Sequence, residues 1–171
     1  MLIVYCTPKY ASSYMKNYLL IILFFFLFFC LTSCRDEYSI CNLGKDVKFF
    51  AGFYQKIAGN EVTAVAPNLS IVLLNTSNPI YNNEANVAVF SLPLNGTVDS
   101  ARYVITITNN LPKDTLTIVY TSQSNIISPE CGSAIFNNVT KLYSTYNTID
   151  SVKIILPAVN TSLLQNAKIY Y

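Results

Sequence analysis

The 171-residue chain contains no histidine and no tryptophan. Without an imidazole, a serine or cysteine nucleophile lacks its ordinary general base, and the commonest zinc ligand is missing. Hydrolytic chemistry would have to rest on carboxylates alone. Charge is scarce as well, with 12% of residues Asp, Glu, Lys or Arg. Lys9 and Lys16 of the eleven basic residues lie near the start, and all nine acidic ones follow Cys34, so the chain beyond Cys34 is close to neutral. Binding to a nucleic-acid backbone needs a concentrated positive patch, and none is visible. The expectation is a protein with no catalytic residue, no metal, no cofactor and no nucleic-acid partner.

A membrane-length apolar helix is also missing. The run from Tyr18 to Leu31 is about 14 residues, whereas a helix needs about 20 to cross a bilayer. A short basic start at Met15-Lys16-Asn17, an apolar core and then small polar residues is the layout of a secretory signal peptide. The preceding MLIVYCTPKYASSY adds nothing a leader needs, so Met15 reads as the true start of a signal peptide ending at residue 33. The leader closes on Leu31-Thr32-Ser33-Cys34, which resembles a bacterial lipobox. That resemblance implies diacylglycerol attachment to Cys34 through a thioether, cleavage before it and acylation of the new amino terminus. More than one acyl chain is what stable anchoring requires. Arg35-Asp36-Glu37 is similar to surface-export signals of Bacteroidota lipoproteins, although a solvated tether over 34–45 needs charge in any case. The expected location is therefore the outer membrane, lipid-anchored, facing either the periplasm or the cell surface.

Five cysteines are then accounted for. Cys6 and Cys30 precede the cleavage site, Cys34 takes lipid, and Cys41 and Cys131 remain. An even pair in an oxidising envelope reads as a disulfide, with two free or buried thiols as the alternative. Closing a loop of about 90 residues contributes up to about 4 to 5 kcal/mol in the chain-entropy model.

Beyond Asp46 the dominant period is two. Val47, Phe49, Ala51 and Phe53 share one face; Tyr103, Ile105 and Ile107 share another, opposite Arg102, Thr106 and Thr108. Leu116, Ile118 and Tyr120 repeat the pattern, as do Val152, Ile154 and Leu156. Further strands are expected over Leu69 to Leu74, Asn86 to Leu92 and Ala167 to Tyr171. Turn clusters separate them at Asn75–Pro79, Asn82-Asn83, Asn95-Gly96 and Asn109–Asp114. The prediction is a single all-β domain over 46–171, an antiparallel, immunoglobulin-like β-sandwich of about seven to eight strands. A transmembrane barrel is the rival, but its strands must run about 9 to 11 residues across lipid, and six prolines after Cys34 interrupt the chain too often. Pro93 reads as the end of an edge strand.

The order of lipobox, early Cys41, Leu92-Pro93-Leu94-Asn95, DTLTIVY at 114–120, SPECG at 128–132 and a closing KIYY resembles an uncharacterised family of small Bacteroidota lipoproteins, a domain of unknown function. The resemblance covers essentially the whole chain after the leader. It implies an all-β envelope lipoprotein with no established catalytic residues, and an outer-membrane barrel protein as partner. Some relatives carry a histidine near Asn166-Ala167, which discourages a shared imidazole mechanism.

Asp99, Asp114, Glu130 and Asp150 are the carboxylates from which a glycosidase-type acid/base pair could be built. Each sits beside a turn signal, so turn-building or solvation accounts for it at least as well. Asp99-Ser100-Ala101, Asp114-Thr115-Leu116 and Asp150-Ser151-Val152 are similar to the Asp-Ser/Thr-apolar O-glycosylation acceptor of Bacteroidota, which makes Ser100, Thr115 and Ser151 candidate modification sites. Tyr143 and Tyr146 lie in a polar, loop-like stretch, Leu142 to Asn147, where exposed rings could meet a glycan or a protein; Tyr81 raises the same question. The function expected is a non-catalytic binding or scaffold module for another outer-membrane component. The alternative is a carbohydrate-binding lipoprotein of a nutrient-uptake system.

Overall fold

The computed structural model describes residues 47–171 except 110 and 130, together with Tyr18 by itself. The expected signal peptide with its start at Met15, the lipidated Cys34, the tether 34–45 and Cys41 lie outside the described residues, as does Glu130. Every strand among the described residues belongs to the unit Ile40–Tyr171.

The described residues form eleven strands: β1 (Lys48–Ile57), β2 (Asn60–Thr63), β3 (Ala66–Leu73), β4 (Pro79–Val87), β5 (Val89–Pro93), β6 (Ser100–Thr106), β7 (Asp114–Ser128), β8 (Gly132–Tyr143), β9 (Ser151–Ile154), β10 (Ala158–Val159) and β11 (Ala167–Tyr170). A five-stranded sheet runs β2-β1-β11-β9, with β5 also on β1, and a six-stranded sheet runs β10-β8-β7-β6-β3-β4. Since Tyr54 pairs with both Thr63 and Tyr170, and Ala51 with both Phe90 and Ala167, β2 and β5 share the edge of β1 opposite β11. The β1–β11 pair is parallel and every other pair is antiparallel.

The alternating residues form the core between the sheets. Phe49, Ala51 and Phe53 from β1 are fully buried and meet Leu69 and Ile71 from β3, Tyr103 and Ile105 from β6, and Leu116, Ile118 and Tyr120 from β7 in one cluster. Phe53 packs its ring 5.1 Å from that of Phe90 and edge-on to Tyr171 at 5.5 Å. The result is the two-layer sandwich that period-two patterning predicts, with β6 and β7 forming the expected hairpin in the register Ile105↔Asp114. β5 ends at Pro93 on an edge, where a missing amide costs no ladder bond.

Four expectations change. The seven or eight strands become eleven, because β2, β4 and most of β8 lack the apolar alternation that was counted. The two-residue turn between β1 and β2 uses Ala58 and Gly59 at φ of 50° and 85°, the positive-φ pair of a tight hairpin without its usual Asn-Gly signature. The Asn82-Asn83 turn is instead a bulge inside β4: pairing slips between Leu69↔Glu84 and Ile71↔Tyr81, Asn83 adopts φ 54°, and its amide donates to Ser70 Oγ at 2.9 Å. The strand expected over Asn86 to Leu92 divides at Ala88, where the chain leaves β4 in one sheet and enters β5 in the other, pinned by Phe53 N–H donating to the Ala88 carbonyl at 2.9 Å. Leu156, finally, lies beyond the end of β9 and is half-buried.

β7 and β8 continue past their neighbours as a two-stranded ribbon. β6 pairs with β7 only as far as Val119, whereas β7–β8 pairing extends to Ser128↔Gly132. Ile135 on this ribbon rests on Gly96, where an added Cβ would lie 2.6 Å from Ile135 Cδ1. A side chain at 96 would force Ile135 to shift.

Candidate functional site

The Asn109–Asp114 turn cluster and the polar stretch after β8 meet at a buried carboxylate. Asp114 opens β7 and is 1% exposed. Its Oδ1 accepts from Thr145 Oγ1 and from the Asn147 amide, both at 2.7 Å; Oδ2 accepts from the Thr148 amide at 2.7 Å and the Ile149 amide at 2.9 Å. Burial by itself would push this carboxyl up. The bonds from Asn147, Ile149, Thr145 and Thr148 together outweigh that and hold it below the ordinary carboxylate range.

The surrounding bonds close the loop onto the start of β7 from both sides. Thr115 N–H donates to Thr145 Oγ1 at 3.0 Å, Asn147 Nδ2 donates to the Lys113 carbonyl at 2.8 Å, and Thr148 Oγ1 donates to the Pro112 carbonyl at 2.8 Å. Three successive amides converging on one anion form a backbone nest. The residue just before them, Tyr146, has φ 56°, a left-handed conformation that glycine adopts at lower cost. Its ring is 51% exposed and that of Tyr143, on the last residue of β8, is 46% exposed. Ser144 between them is buried, with its hydroxyl unpartnered. Asp114 is therefore neither solvated nor half of an acid/base pair. An ionised carboxylate committed to four donors has no proton to give at neutral pH and no free lone pair facing a substrate.

The other sequence-expected residues are dispersed. Leu142 and Tyr143 belong to β8, so the loop proper is 144–150. Asp99 is exposed in the turn before β6, and Asp150 is exposed between Ile149 and β9. Ser100, Thr115 and Ser151 each lie in a strand and are half-buried. Tyr81 is structural: its hydroxyl accepts from the Ser91 amide at 2.9 Å and its ring sits edge-on to Phe90. Cys131 is 3% exposed, and its amide donates to Ser128 Oγ at 3.0 Å. Among the described residues no group of three or more His, Cys, Asp and Glu could hold a metal.

Two polar clusters escaped the sequence reading. Asn166, 1% exposed, accepts from the Phe50 amide at 2.9 Å and donates to the carbonyls of Leu156 at 3.0 Å and Ala158 at 2.9 Å, tying β1 to the link between the sheets. On the outer face of the five-stranded sheet, Glu61 pairs with Lys168 at 2.5 Å and accepts from Tyr170 Oη at 2.7 Å, while Lys168 lies 4.6 Å above the Tyr54 ring. Those two hydrogen bonds, Lys168 first, lower the Glu61 carboxyl. An outward period-two row (Tyr54, Lys56; Lys168, Tyr170) was the available signal, but pairing β1 with the distant β11 was not readable.

No curated protein and no solved structure matches the chain. Residues 68–171, more than half of the chain and running from within β3 through β11, match a Family of unknown function (DUF6452), and the chain belongs to that family.

Proposed function

We propose that this chain is a lipid-anchored lipoprotein of the Bacteroidota cell envelope, a non-catalytic binding or scaffold module whose partner is another outer-membrane component, such as a barrel protein. Cys34 carries the lipid, residues 1–33 are the cleaved leader, and Cys41 bonds Cys131. A buried Cys131 supports that staple, because Cys41 lies only six residues before Val47, within roughly 20 Å of extended chain.

One observation carries the binding reading. A tyrosine occupies a left-handed backbone position that glycine would take more cheaply, and the ring so placed is half exposed rather than packed. Local conformations that cost energy persist where something other than stability selects them. The Asp114 nest fixes the loop before any partner arrives, so little ordering entropy opposes binding. A photo-crosslinking residue at 146, in native membranes, is expected to capture one specific outer-membrane protein. Tyr146→Gly is expected to abolish that partner's co-purification while leaving folding stability equal or higher. Lost stability with retained partner would assign Tyr146 to structure instead.

The second reading, a carbohydrate-binding lipoprotein of a nutrient-uptake system, is favoured by the two half-exposed rings at one end of β8, since planar aromatic faces stack on sugars. A glycan array probed with the purified protein separates the readings: specific binding lost in Tyr143→Ala and Tyr146→Ala supports the second. Ser100, Thr115 and Ser151 enter the proposal as O-glycan acceptors, testable as an intact-mass excess that disappears when all three become alanine.

A further inference from the structure

The loop between β10 and β11, residues 160–166, presents two leucines to solvent. Leu163 is 62% exposed and its neighbour Leu164 is 59% exposed, and neither joins the core cluster. Leu163 also adopts φ 55°, a left-handed conformation that is an outlier for a bulky side chain. Polar bonds set the frame of the loop at both feet. Asn160 Oδ1 accepts from the Ser162 amide at 2.8 Å, Gln165 Nε2 donates to the Ala167 carbonyl at 2.8 Å, and the buried Asn166 side chain is tied to β1.

Register places this loop at one end of the sandwich. β11 runs parallel to β1 with Ala51 opposite Ala167, and the Asn166 amide donates to the Phe50 carbonyl at 2.8 Å, so the residues before Ala167 lie beside the start of β1. Exposed Ile155 belongs to the same end, since its amide donates to the Asn166 carbonyl at 2.8 Å. The whole segment 154–167 holds no Asp, Glu, Lys or Arg. At the other end of β1 the exposed Ile57 stands beside the cross-strand pair of Lys56 and Glu61 instead. The 13 residues 34–46 reach at most about 45 Å and end at the start of β1. A lipid on Cys34 therefore holds the domain by its uncharged, leucine-bearing end. Apolar side chains gain by leaving water there, and no charge has to be desolvated with them.

We propose that Leu163 and Leu164 dock the domain on the bilayer surface, entering the boundary between headgroups and acyl chains as a second contact beside the anchor. The inference deepens the envelope-lipoprotein reading and rests on its lipid at Cys34.

The chain has no tryptophan, so a single introduced indole reports its own surroundings. The full chain carrying Leu164→Trp is reconstituted in phosphatidylcholine vesicles with and without brominated acyl chains, beside Ile57→Trp at the other end of β1. The intact mass of each sample reports acyl chains on Cys34. Emission from Leu164→Trp is expected to shift to the blue and to be quenched by the brominated lipid, while Ile57→Trp stays solvent-like and unquenched. Adding Leu163→Asp, a residue that takes positive φ readily, is expected to remove the shift and the quenching with the circular dichroism of the sheets unchanged. Acylated protein in which the two indoles respond alike, or in which Leu163→Asp leaves the quenching intact, overturns the proposal and leaves the anchor standing. Protein without acyl chains on Cys34 overturns both, and the mass shows that the anchor failed first. A photo-crosslinker at 164 that captures a protein in native membranes assigns the leucines to that protein and overturns the lipid contact.

Discussion

β1 and the distal ribbon of β7 and β8 are both regular strands, but they are held by different forces. In β1, Phe49, Ala51 and Phe53 are fully removed from water, and each aromatic burial contributes roughly 2 to 3 kcal/mol. In the ribbon, Ile126 is 81% exposed and the residues from Thr121 to Ser124 are all exposed. Ladder bonds and the contact of Ile135 with Gly96 hold that segment. Burial sets the strand in one place and backbone pairing in the other. A region held by constraint rather than by packing leaves its side chains free to serve contacts outside the domain.

The sharpest way to break this contrast is at its extremes. Phe53→Ala is expected to cost about 3 to 5 kcal/mol in urea denaturation, because the cavity left between Phe90 and Tyr171 cannot close. Asp114→Ala, which strands buried amides of the 147–149 segment, is expected to cost about 2 to 4 kcal/mol. Asp114 also fixes an acid limit. Its carboxyl is lowered in the fold, so its contribution is fully present above the unfolded carboxylate value of about 3.9 and is lost as pH falls through the folded one. Asp114→Asn should flatten the loss of stability between neutral pH and that acid limb, read from melts in a pH series.

Tyr103→Phe gives a smaller effect, about 1 kcal/mol, through the lost bond to Pro93. Burial raises the Tyr103 hydroxyl above its ordinary value, so stability is whole below the unfolded value of about 10 and declines as pH rises beyond it. The phenylalanine variant should show a shallower alkaline decline. Ile126→Ser is expected to change stability by no more than about 0.5 kcal/mol. A cost like that of Phe53→Ala at Ile126 would mean that the ribbon, too, is packed, and the contrast would be lost.

The same contrast explains what could be read in advance. β1, β3, β6 and the first half of β7 announce themselves because one face meets the core, and alternation is the imprint of a half-buried strand. β2, with the sequence Asn60-Glu61-Val62-Thr63, is exposed at every residue, and β8 carries Asn137, Asn138 and Thr140 where a reader looks for apolar residues. Such strands arise from their partners' unsatisfied edges rather than from their own composition. Asp114 shows the same limit at the site. Its turn character was legible from Asn109 to Asp114, but its four donors come from residues 31 to 35 positions later, a distance no local pattern spans. Tyr143 and Tyr146 were legible as exposed rings, and the strained backbone beneath Tyr146 was not.

The parallel pairing of β1 with β11 joins the two ends of the described domain. Among the described residues the first strand and the last are neighbours, and residues 167–170 sit inside the sheet between β1 and β9 rather than at its rim. Removing that short segment would therefore leave unpaired backbone on β1 and β9 at once, a long-range dependence out of proportion to its four residues.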